Sequence, residues 1–317
     1  MVNISIILLV KNGGALLAEV LNAIFSQKIK DEFEVVAIDS GSTDDSKEIL
    51  ARFPVRLKEI HPATFNHGET RNLGASVSRG AYFVYLTQDA LPGAETWLER
   101  LVEPLKEDPM VAGAYSSHRP RKDCPLMERR QILQTELTSG KTKRVNTAVG
   151  NPEYPWNPYP FIWFSNTSSC IRRQVWEKFP FRKIEFAEDQ DWAKRVLEAG
   201  YKTVYVPDSI VIHSHHYGPA KNFRRHFEHA KAMRETFGKE EFPRFKAIFS
   251  ATRQSVKADF QFFRSESGKG RGFYRWFFPS LFWYLSAFAG LWLGTHLEKV
   301  PLKLREKLSL QPSIIKK

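Results

Sequence analysis

The chain has 317 residues, of which 42% are hydrophobic and 26% charged, the ordinary composition of a globular protein of about two domains. A chain of this length can bury a large core, so it needs neither disulfides nor a metal for stability. Its two cysteines, Cys124 and Cys170, are not in CxxC spacing, which argues against a disulfide framework and against a cysteine zinc site. The N-terminus lacks the basic start and the small-residue cleavage site of a secretory signal. We therefore expect a cytoplasmic, reduced protein.

The net charge of +12 is confined to the last third of the sequence. Residues 1–218 contain 27 basic and 27 acidic residues, whereas residues 219–317 contain 20 basic and 8 acidic ones. The balanced first part argues against a nucleic-acid partner, because contacts with phosphates need clustered Lys and Arg. In the last third, the charge is combined with a stretch rich in aromatic residues, 276–297, that carries no Lys, Arg, Asp or Glu. This combination favours a membrane surface as partner.

Strand and helix patterns alternate along the first half of the chain. Apolar runs predict strands at residues 4–10, 33–38, 55–60, 82–86 and 111–115. Helical patterns between them predict helices at residues 15–25, after Thr43, at 67–78 and at 97–105. Such alternation predicts βαβ units and an α/β fold with a mostly parallel sheet flanked by helices.

The second half is less regular. Residues 118–160 contain six prolines and several charges and predict an irregular segment, either a variable lid or an insertion on the acceptor side. Regular structure is expected to resume around residues 161–171, with a helix at 188–199, short strands at 203–206 and 210–213, and an amphipathic helix at 221–237.

Asp39 stands at the end of the second predicted strand, where ligands bind in parallel sheets. Its carboxylate could accept hydrogen bonds from a nucleobase or a ribose, and Ser40 and Gly41 lead into a helix N-terminus that favours anions. The alternative is a well-capped turn without a ligand.

Arg71 and Asn72 lie in a helix that begins with many polar groups. Arg71 could pair with a diphosphate and Asn72 could hold the turn, unless this is an ordinary surface helix.

Asp89 follows the fourth strand directly, beside Gln88, and a hard cation on a diphosphate would favour such an oxygen ligand. The alternative is an Asp turn before Pro92. His213 begins an HxHH tract at another strand end and could supply one metal ligand, although such a tract alone is weak evidence for a metal site.

A further acidic segment lies at a predicted helix start, where Glu188, Asp189 and Asp191 fall within four residues. Crowded like charges with some burial raise carboxylate pKa values, which suits a general base. A purely structural role, serving the helix dipole, competes with this interpretation. Trp163 and Asn166, just upstream, could form an acceptor-side wall or belong to a buried strand and loop.

Taken together, these segments resemble the family 2 glycosyltransferases, which have the GT-A fold. The resemblance covers residues 4–216 and runs from the Lys-Asn-Gly turn at Lys11 through the D-x-G-S-x-D segment at Asp39 and the R-N-x-G segment at Arg71 to a D-x-D position and an E-D pair. Within the family, the strings LTQDALP, FAEDQDWA and VIHSHHY look most like rhamnosyltransferases that use a thymidine-diphosphate sugar.

The resemblance implies roles for individual residues. Asp39 would contact the base or ribose of the donor, together with the substrate-binding residues around it. Asp89 would coordinate a divalent metal, Mg²⁺ or Mn²⁺, helped by His213. Asp189 would be the catalytic base of an inverting transfer, with Glu188 beside it. Two positions depart from the family pattern, since Thr87 replaces the first Asp of D-x-D and Ser40 replaces a second Asp. The expected substrate-binding residues are Asp39, Ser40, Gly41, Arg71, Asn72, Gln88, Trp163 and Asn166.

We therefore expect a GT-A catalytic domain at residues 1–218, with a nucleotide-sugar half at 1–115 and an acceptor half at 116–218, followed by a basic helical region at 219–317. The expected partners are a nucleotide-diphosphate sugar and a glycan or lipid-linked acceptor. The sequence leaves open whether the protein forms a homo-oligomer. Two other functions compete, a sugar nucleotidyltransferase and a carbohydrate-binding protein without catalysis. The turn at Lys11 only partly fits the Gly-rich loop of the former.

Residues 273–310 are expected to hold the enzyme on the inner face of the cell membrane. The uncharged stretch is long enough to span a bilayer, but its many aromatics are typical of an interfacial helix, and packing against protein is the third alternative. Ser286, Gly290 and Gly294 recur every four residues and would allow close packing on another helix. A cationic flank follows the stretch, at Lys299, Lys303, Arg305 and Lys307.

Overall fold

The computed structural model describes residues 2–242, 244–267, 272–301, 305 and 308. The chain forms two compact units. The first consists of residues 1–121, 132–184 and 188–213, and the second of residues 122–131, 185–187 and 214–317. Of the cationic flank expected after the apolar stretch, Lys303 and Lys307 lie outside the described residues.

The first unit is built on a nine-stranded sheet within the described residues. Its order is β3-β2-β1-β4-β8-β6-β9-β5, and β7 pairs with β9. The strands are β1 (Ile4–Val10), β2 (Phe33–Asp39), β3 (Val55–Glu59), β4 (Tyr82–Thr87), β5 (Leu91–Pro92), β6 (Val111–Arg119), β7 (Arg144–Asn146), β8 (Ser168–Arg172) and β9 (Lys202–Ile212).

Nine helices begin in the part of the chain before residue 199. They are α1 (Gly14–Phe25), α2 (Ser46–Leu50), α3 (His67–Val77), α4 (Trp97–Glu107), α5 (Leu126–Gln134), α6 (Glu136–Ser139), α7 (Tyr159–Ile162), α8 (Arg173–Lys178) and α9 (Glu188–Glu198). A single 3-10 turn, Pro62–Thr64, precedes α3.

The predicted βαβ order is confirmed in β1 to β4, which pair in parallel. The apolar runs are buried on both faces of this half of the sheet, and two clusters of buried side chains cover it. Beyond β4 the sheet is mixed, because β8 pairs antiparallel with both β4 and β6. The two short strands expected at 203–206 and 210–213 are one strand, β9, with a register shift opposite Ser116 and Ser117. The irregular insertion at 118–160 contains α5, α6 and β7.

The second unit contains three long helices, α10 (Pro219–Phe237), α11 (Ala247–Ser267) and α12 (Tyr274–Thr295), followed by a 3-10 turn at Leu297–Lys299. The sequence analysis placed α10 and α12 but not α11. The helix α12 packs on α10 through glycine, since a Cβ atom on Gly290 would overlap the carbonyl oxygen of Phe223, and one on Gly294 that of Phe227. The small-residue face expected on this stretch therefore packs within the chain.

A buried polar network joins α11 and α12 in this unit. Asp259 is fully buried and accepts hydrogen bonds from the Ser280 and Tyr284 hydroxyls. The Arg130 guanidinium, 2.6 Å from Asp259 Oδ1, compensates its charge and also donates to the Tyr284 hydroxyl. Such a charge is tolerated in an apolar interior because it is paired and its remaining lone pairs are hydrogen-bonded.

Candidate active site

The loop after β2 contains Asp39, whose carboxylate is fully buried. Its Oδ1 accepts from the backbone N–H groups of Gly41 and Ser42, both at 2.9 Å, and its Oδ2 accepts from the Ser42 hydroxyl at 2.5 Å. Gly41 has φ +85°, and a Cβ there would overlap the ring of Pro62, so glycine is required at this turn. Ser40 is also buried and donates its N–H to the Val10 carbonyl at 2.9 Å. Asp39 thus lies at the expected edge of the sheet, but its oxygens bind the turn itself.

The loop after β1 is hydrogen-bonded to the loop after β2. Asn12 adopts a left-handed φ of 51°, and its Oδ1 accepts from Thr43 N at 2.8 Å. The Gln88 amide pairs with both backbone groups of Lys11, donating to its carbonyl at 2.9 Å and accepting from its N–H at 2.8 Å. The loops after β1, β2 and β4 therefore form one hydrogen-bonded edge, in which Gln88 has a structural role that its residue type did not reveal.

Asp89 and His213 come together at the same edge. The Nε2 atom of His213 lies 3.5 Å from Asp89 Oδ1; the His213 side chain is mostly buried and that of Asp89 is partly exposed. Arg121 donates to the Asp89 backbone carbonyl at 2.9 Å. A carboxylate oxygen and an imidazole nitrogen converging in this way are donors that suit a divalent transition metal such as Mn²⁺.

His118, at the end of β6, is a residue of this cluster that the sequence analysis missed. Its ring centroid is 6.0 Å from that of His213. Burial, together with the charges of His213 and Arg119, lowers the pKa of His118 to about 3, so the imidazole is neutral. Its Nε2 atom is buried, and within the described part of the chain no hydrogen-bond partner reaches it. A neutral imidazole with an unsatisfied nitrogen in contact with His213 is compatible with a site for a metal, and the pairing of β6 with β9 brings the two histidines together.

Four predicted residues converge at the start of α9. Arg71 Nη1 lies 2.5 Å from Glu188 Oε1, and both side chains are almost fully buried. The Asn166 side-chain amide donates to the same oxygen at 3.3 Å, and the Asn166 backbone N–H donates to Asp189 Oδ2 at 3.1 Å. Because Thr87 N donates to the Thr167 carbonyl, the Asn166 loop is attached to the end of β4, two residues before Asp89.

The two neighbouring carboxylates have pKa values displaced in opposite directions. Burial alone would raise the pKa of Glu188, but the Arg71 charge and further favourable contacts hold it below its ordinary value. Burial and the adjacent Glu188 charge raise the pKa of Asp189 to about 7. Asp189 accepts only backbone hydrogen bonds, from Asn166 and Gln190, among those found in the structure. Carboxyl groups whose environments push their pKa values apart are the pattern of acid–base sites.

The remaining predicted residues have contacts of other kinds. Asn72 does not face the sheet edge with Arg71: its amide donates to the Phe181 carbonyl and accepts from Trp176 Nε1, at 2.8 and 2.9 Å. Both ends of the amide are thus used to hold α3 against α8 and the loop after it. Trp163 is half-buried in an edge contact with Tyr159, at a centroid distance of 6.0 Å, and its indole N–H is buried with no partner in the described residues.

Asp191, the third carboxylate of the acidic segment, is neutralised by arginine. Arg195 Nε lies 2.9 Å from its Oδ2, and Arg182 Nη1 lies 3.4 Å from its Oδ1. Only Asp189 combines a raised pKa with contacts from backbone groups alone, so the acidic segment has one carboxyl suited to accept a proton.

Comparison with known proteins identifies a matching family and two relatives that cover most of the chain. The family described as glycosyl transferase family 2 matches residues 5–159. The O-antigen chain rhamnosyltransferase RfbN of Salmonella typhimurium is 29% identical over 98% of this chain and 95% of its own. WbaN of Salmonella anatum, also named an O-antigen chain rhamnosyltransferase, is 29% identical over 91% of this chain and 88% of its own.

Solved structures support the fold. The mannosyltransferase PcManGT of Pyrobaculum calidifontis, in complex with GDP-Man and Mn²⁺, superposes with a TM-score of 0.59 at 19% identity, over 92% of this chain and 87% of its own. Residues 1–349 of S. aureus TarS, in complex with UDP-GlcNAc, give a TM-score of 0.55 at 14% identity, over 97% and 84%. The α/β sheet with flanking helices is therefore the expected GT-A fold, and this chain is a family 2 glycosyltransferase.

Proposed function

We propose that this glycosyltransferase transfers a sugar with inversion, using Asp189 as the general base. The observation that carries the proposal is the raised pKa of Asp189 beside an ionised, Arg71-paired Glu188. A carboxylate with a pKa near neutrality is a stronger proton acceptor than an ordinary Asp and is still ionised in half of the molecules at pH 7.

In the proposed step, an acceptor hydroxyl gives its proton to an Asp189 oxygen as its own oxygen attacks the anomeric carbon. The new bond forms on the face opposite the nucleotide, and the bond from the anomeric carbon to the diphosphate oxygen breaks with its electron pair on the diphosphate. No bond forms between sugar and enzyme. Asn166 N–H holds one Asp189 oxygen in place at 3.1 Å, which fixes the orientation of the carboxylate.

The donor is proposed to be thymidine-diphosphate rhamnose. The support is that the two relatives that match nearly the whole chain are both named rhamnosyltransferases. The acceptor is proposed to be a hydroxyl of a glycan or a lipid-linked glycan in polysaccharide biosynthesis. Asp39 and Gln88 are proposed to contribute to the donor site, and their hydrogen bonds to the loops after β2 and β1 support a part in shaping those loops.

A divalent metal, Mg²⁺ or Mn²⁺, is proposed to bind Asp89 and His213. The convergence of these two side chains and the unsatisfied nitrogen of His118, whose ring contacts that of His213, support it. When bound, such an ion offsets the charge of the departing diphosphate. With Thr87 in the first D-x-D position, the diphosphate itself must complete the metal shell.

Residues 1–218 are proposed as the catalytic part, with the donor half at 1–115 and the acceptor half at 116–218. Residues 219–317 are proposed to place the enzyme on the cytoplasmic face of the membrane, as a peripheral protein. One helix among the described residues, Tyr274–Thr295, has the length and the mean hydropathy, 1.3, of a membrane span. Its packing on α10 through Gly290 and Gly294 supports attachment at the surface over a span.

The direct test is a panel of nucleotide sugars with product detection. We expect thymidine-diphosphate rhamnose to bind more tightly, by calorimetry, than uridine- or guanosine-diphosphate sugars, and to be transferred to a glycan acceptor with an inverted anomeric centre by NMR. A clear preference for a guanosine or uridine donor would reject the rhamnosyl proposal, and a product with retained configuration would reject Asp189 as a base in a single displacement.

A further inference from the structure

The second unit exposes an unusual number of large aromatic side chains. Within the described residues they fall between positions 245 and 282, on α11, on the turn before it and on the first half of α12. We call this set the aromatic face: Phe245, Phe249, Phe260, Tyr274, Phe277, Phe278 and Phe282, with exposed fractions from 36% to 69%. A group of this size on one unit exceeds the scattered exposed apolar residues of an ordinary surface.

On α11, aromatic and basic residues share one side of the helix. Phe249 and Phe260 are eleven residues apart, so at about 100° per residue they point in nearly the same direction. Arg253 and Lys257 fall within about 80° of Phe249, and both are exposed. The buried residues, such as Thr252 and Asp259, occupy a different sector of the helix.

On α12, Tyr274, Phe278 and Phe282 recur every four residues and form an outward stripe. The opposite side of the helix is occupied by buried residues such as Trp283 and Gly290, which pack inside the unit. One side of the helix therefore packs inside the unit, and the other side is apolar and exposed among the described residues. A helix of this kind suits an interface better than the bilayer interior.

The charge around the aromatic face is positive. The sequence from residue 244 to residue 275 contains eight Lys or Arg and two acidic residues. Both acidic residues are engaged with arginine, Asp259 with Arg130 at 2.6 Å and Glu266 with Arg129 at 3.0 Å. An anionic partner is therefore favoured over a neutral or acidic protein surface.

We propose that the aromatic face, together with Arg253 and Lys257, docks on an anionic lipid bilayer with α12 lying parallel to its surface. The inference rests on the proposed membrane partner of the enzyme and specifies which residues make the contact. It moves the contact from the cationic flank after residue 299 to α11 and the first half of α12. In this arrangement the aromatic rings insert at the headgroup level and the basic side chains meet lipid phosphates.

Flotation of the full-length protein with phosphatidylcholine vesicles, with and without phosphatidylglycerol, tests the proposal. We expect binding that requires phosphatidylglycerol and weakens with salt. The double substitution Phe278→Ser and Phe282→Ser should weaken binding by about tenfold or more, because each ring loses its burial in the interface. Arg253→Gln with Lys257→Gln should weaken it by roughly 30-fold, from about 1 kcal/mol for each charge.

Matched controls come from the first unit. Trp156 is 90% exposed, and Arg52 and Lys58 are exposed, so Trp156→Ser and the pair Arg52→Gln with Lys58→Gln should leave flotation unchanged. Equal loss from control and test variants would overturn the proposal, as would undiminished binding of both test variants. The proposal would also be overturned if the protein did not bind vesicles and light scattering showed instead that it dimerises through these aromatic residues. Because flotation needs no sugar, a protein that floats but transfers nothing refutes the proposed function alone.

Discussion

Arg71 Nη1 lies 2.5 Å from Glu188 Oε1, and each side chain retains only 7% of its exposure. This pair keeps a negative charge on Glu188 next to Asp189 along the chain. Burial raises the pKa of Asp189, and the ionised Glu188 beside it raises that pKa further, whereas the Arg71 charge holds the pKa of Glu188 below its ordinary value. The contact of an arginine on α3 with a glutamate on α9 thus contributes, with burial, to the basicity of the proposed catalytic residue.

Replacing Asp189 by Asn should lower the transfer rate by about 10²–10⁴-fold, because an amide cannot accept the acceptor proton. Donor affinity, measured by calorimetry, should be nearly unchanged. The control is Asp191→Asn, on the same helix and with its carboxylate bound by Arg195 and Arg182, which should keep most of the activity. Near-native turnover in the Asp189 variant would exclude it as the base.

The pH dependence should report the raised pKa of Asp189. Transfer should increase as the pH rises through about 7, because only the ionised carboxylate can take a proton. Stability should change in the opposite sense: a carboxyl with a raised folded-state pKa favours folding when protonated, so ionisation costs stability between about pH 4 and pH 7. Rate profiles and melting curves across this range measure both. Glu188→Gln should move the rate midpoint to lower pH, and an unmoved midpoint would contradict the proposed coupling.

Replacing Arg71 by Met should destabilise the protein by about 3–5 kcal/mol, since it leaves the Glu188 charge buried without a partner. Combining it with Glu188→Gln should recover part of this loss, as measured by denaturant unfolding. Arg100→Met is the control, because Arg100 and Glu103 form an exposed pair whose loss should cost about 1 kcal/mol or less. If the Arg71 and Arg100 variants lose equal stability, burial of the pair has no energetic consequence.

Asp89→Ala should reduce transfer by about 100-fold or more while shifting the melting temperature by about 2 °C or less, because Asp89 is partly exposed. Excess chelator should have a similar effect on the native enzyme and little further effect on the variant. Asp208→Ala, at an exposed position of β9, should change neither quantity. Full activity of the native enzyme in chelator would rule out the metal.

Gly294→Ala tests the helix contact in the second unit. Alanine is favoured over glycine in a helix interior by about 1 kcal/mol, so helix propensity alone predicts stabilisation. We expect a lower melting temperature instead, because the new Cβ meets the Phe227 backbone carbonyl, which cannot move without shifting α10. A stabilised variant would show that the two helices do not pack as closely as the structure has them.

The sequence predicted the first half of the sheet well because the information there is local. The apolar runs of β1, β2 and β4 are visible in short windows of the sequence. The partners of polar side chains are not visible in this way. Gln88 binds the backbone of Lys11, 77 residues away, and Asn72 binds Phe181, 109 residues away. Substrate contact was expected for both from the family resemblance, although the residues around Asn72 had also suggested that it holds the turn.

His118 and α11 were missed for related reasons. His118 is a single histidine in a strand, and its position beside His213 follows only from the parallel pairing of β6 with β9. The helix α11 carries aromatic residues on its exposed side as well as its buried side, so a polar outer face does not mark it in the sequence. Sequence periodicity identifies helices that separate apolar from polar residues, and this one does not.

The Arg71–Glu188 contact joins residues 117 positions apart in the chain. Such a contact closes a long loop, and the loss of chain entropy on closure opposes its formation until the intervening structure has formed. A nascent chain that has completed β1 to β4 therefore has its donor loops, but it still lacks the proposed base, Asp189, and the neighbouring charge of Glu188. Catalytic competence should be among the last properties that the folding chain acquires, so a partly folded molecule cannot transfer sugar.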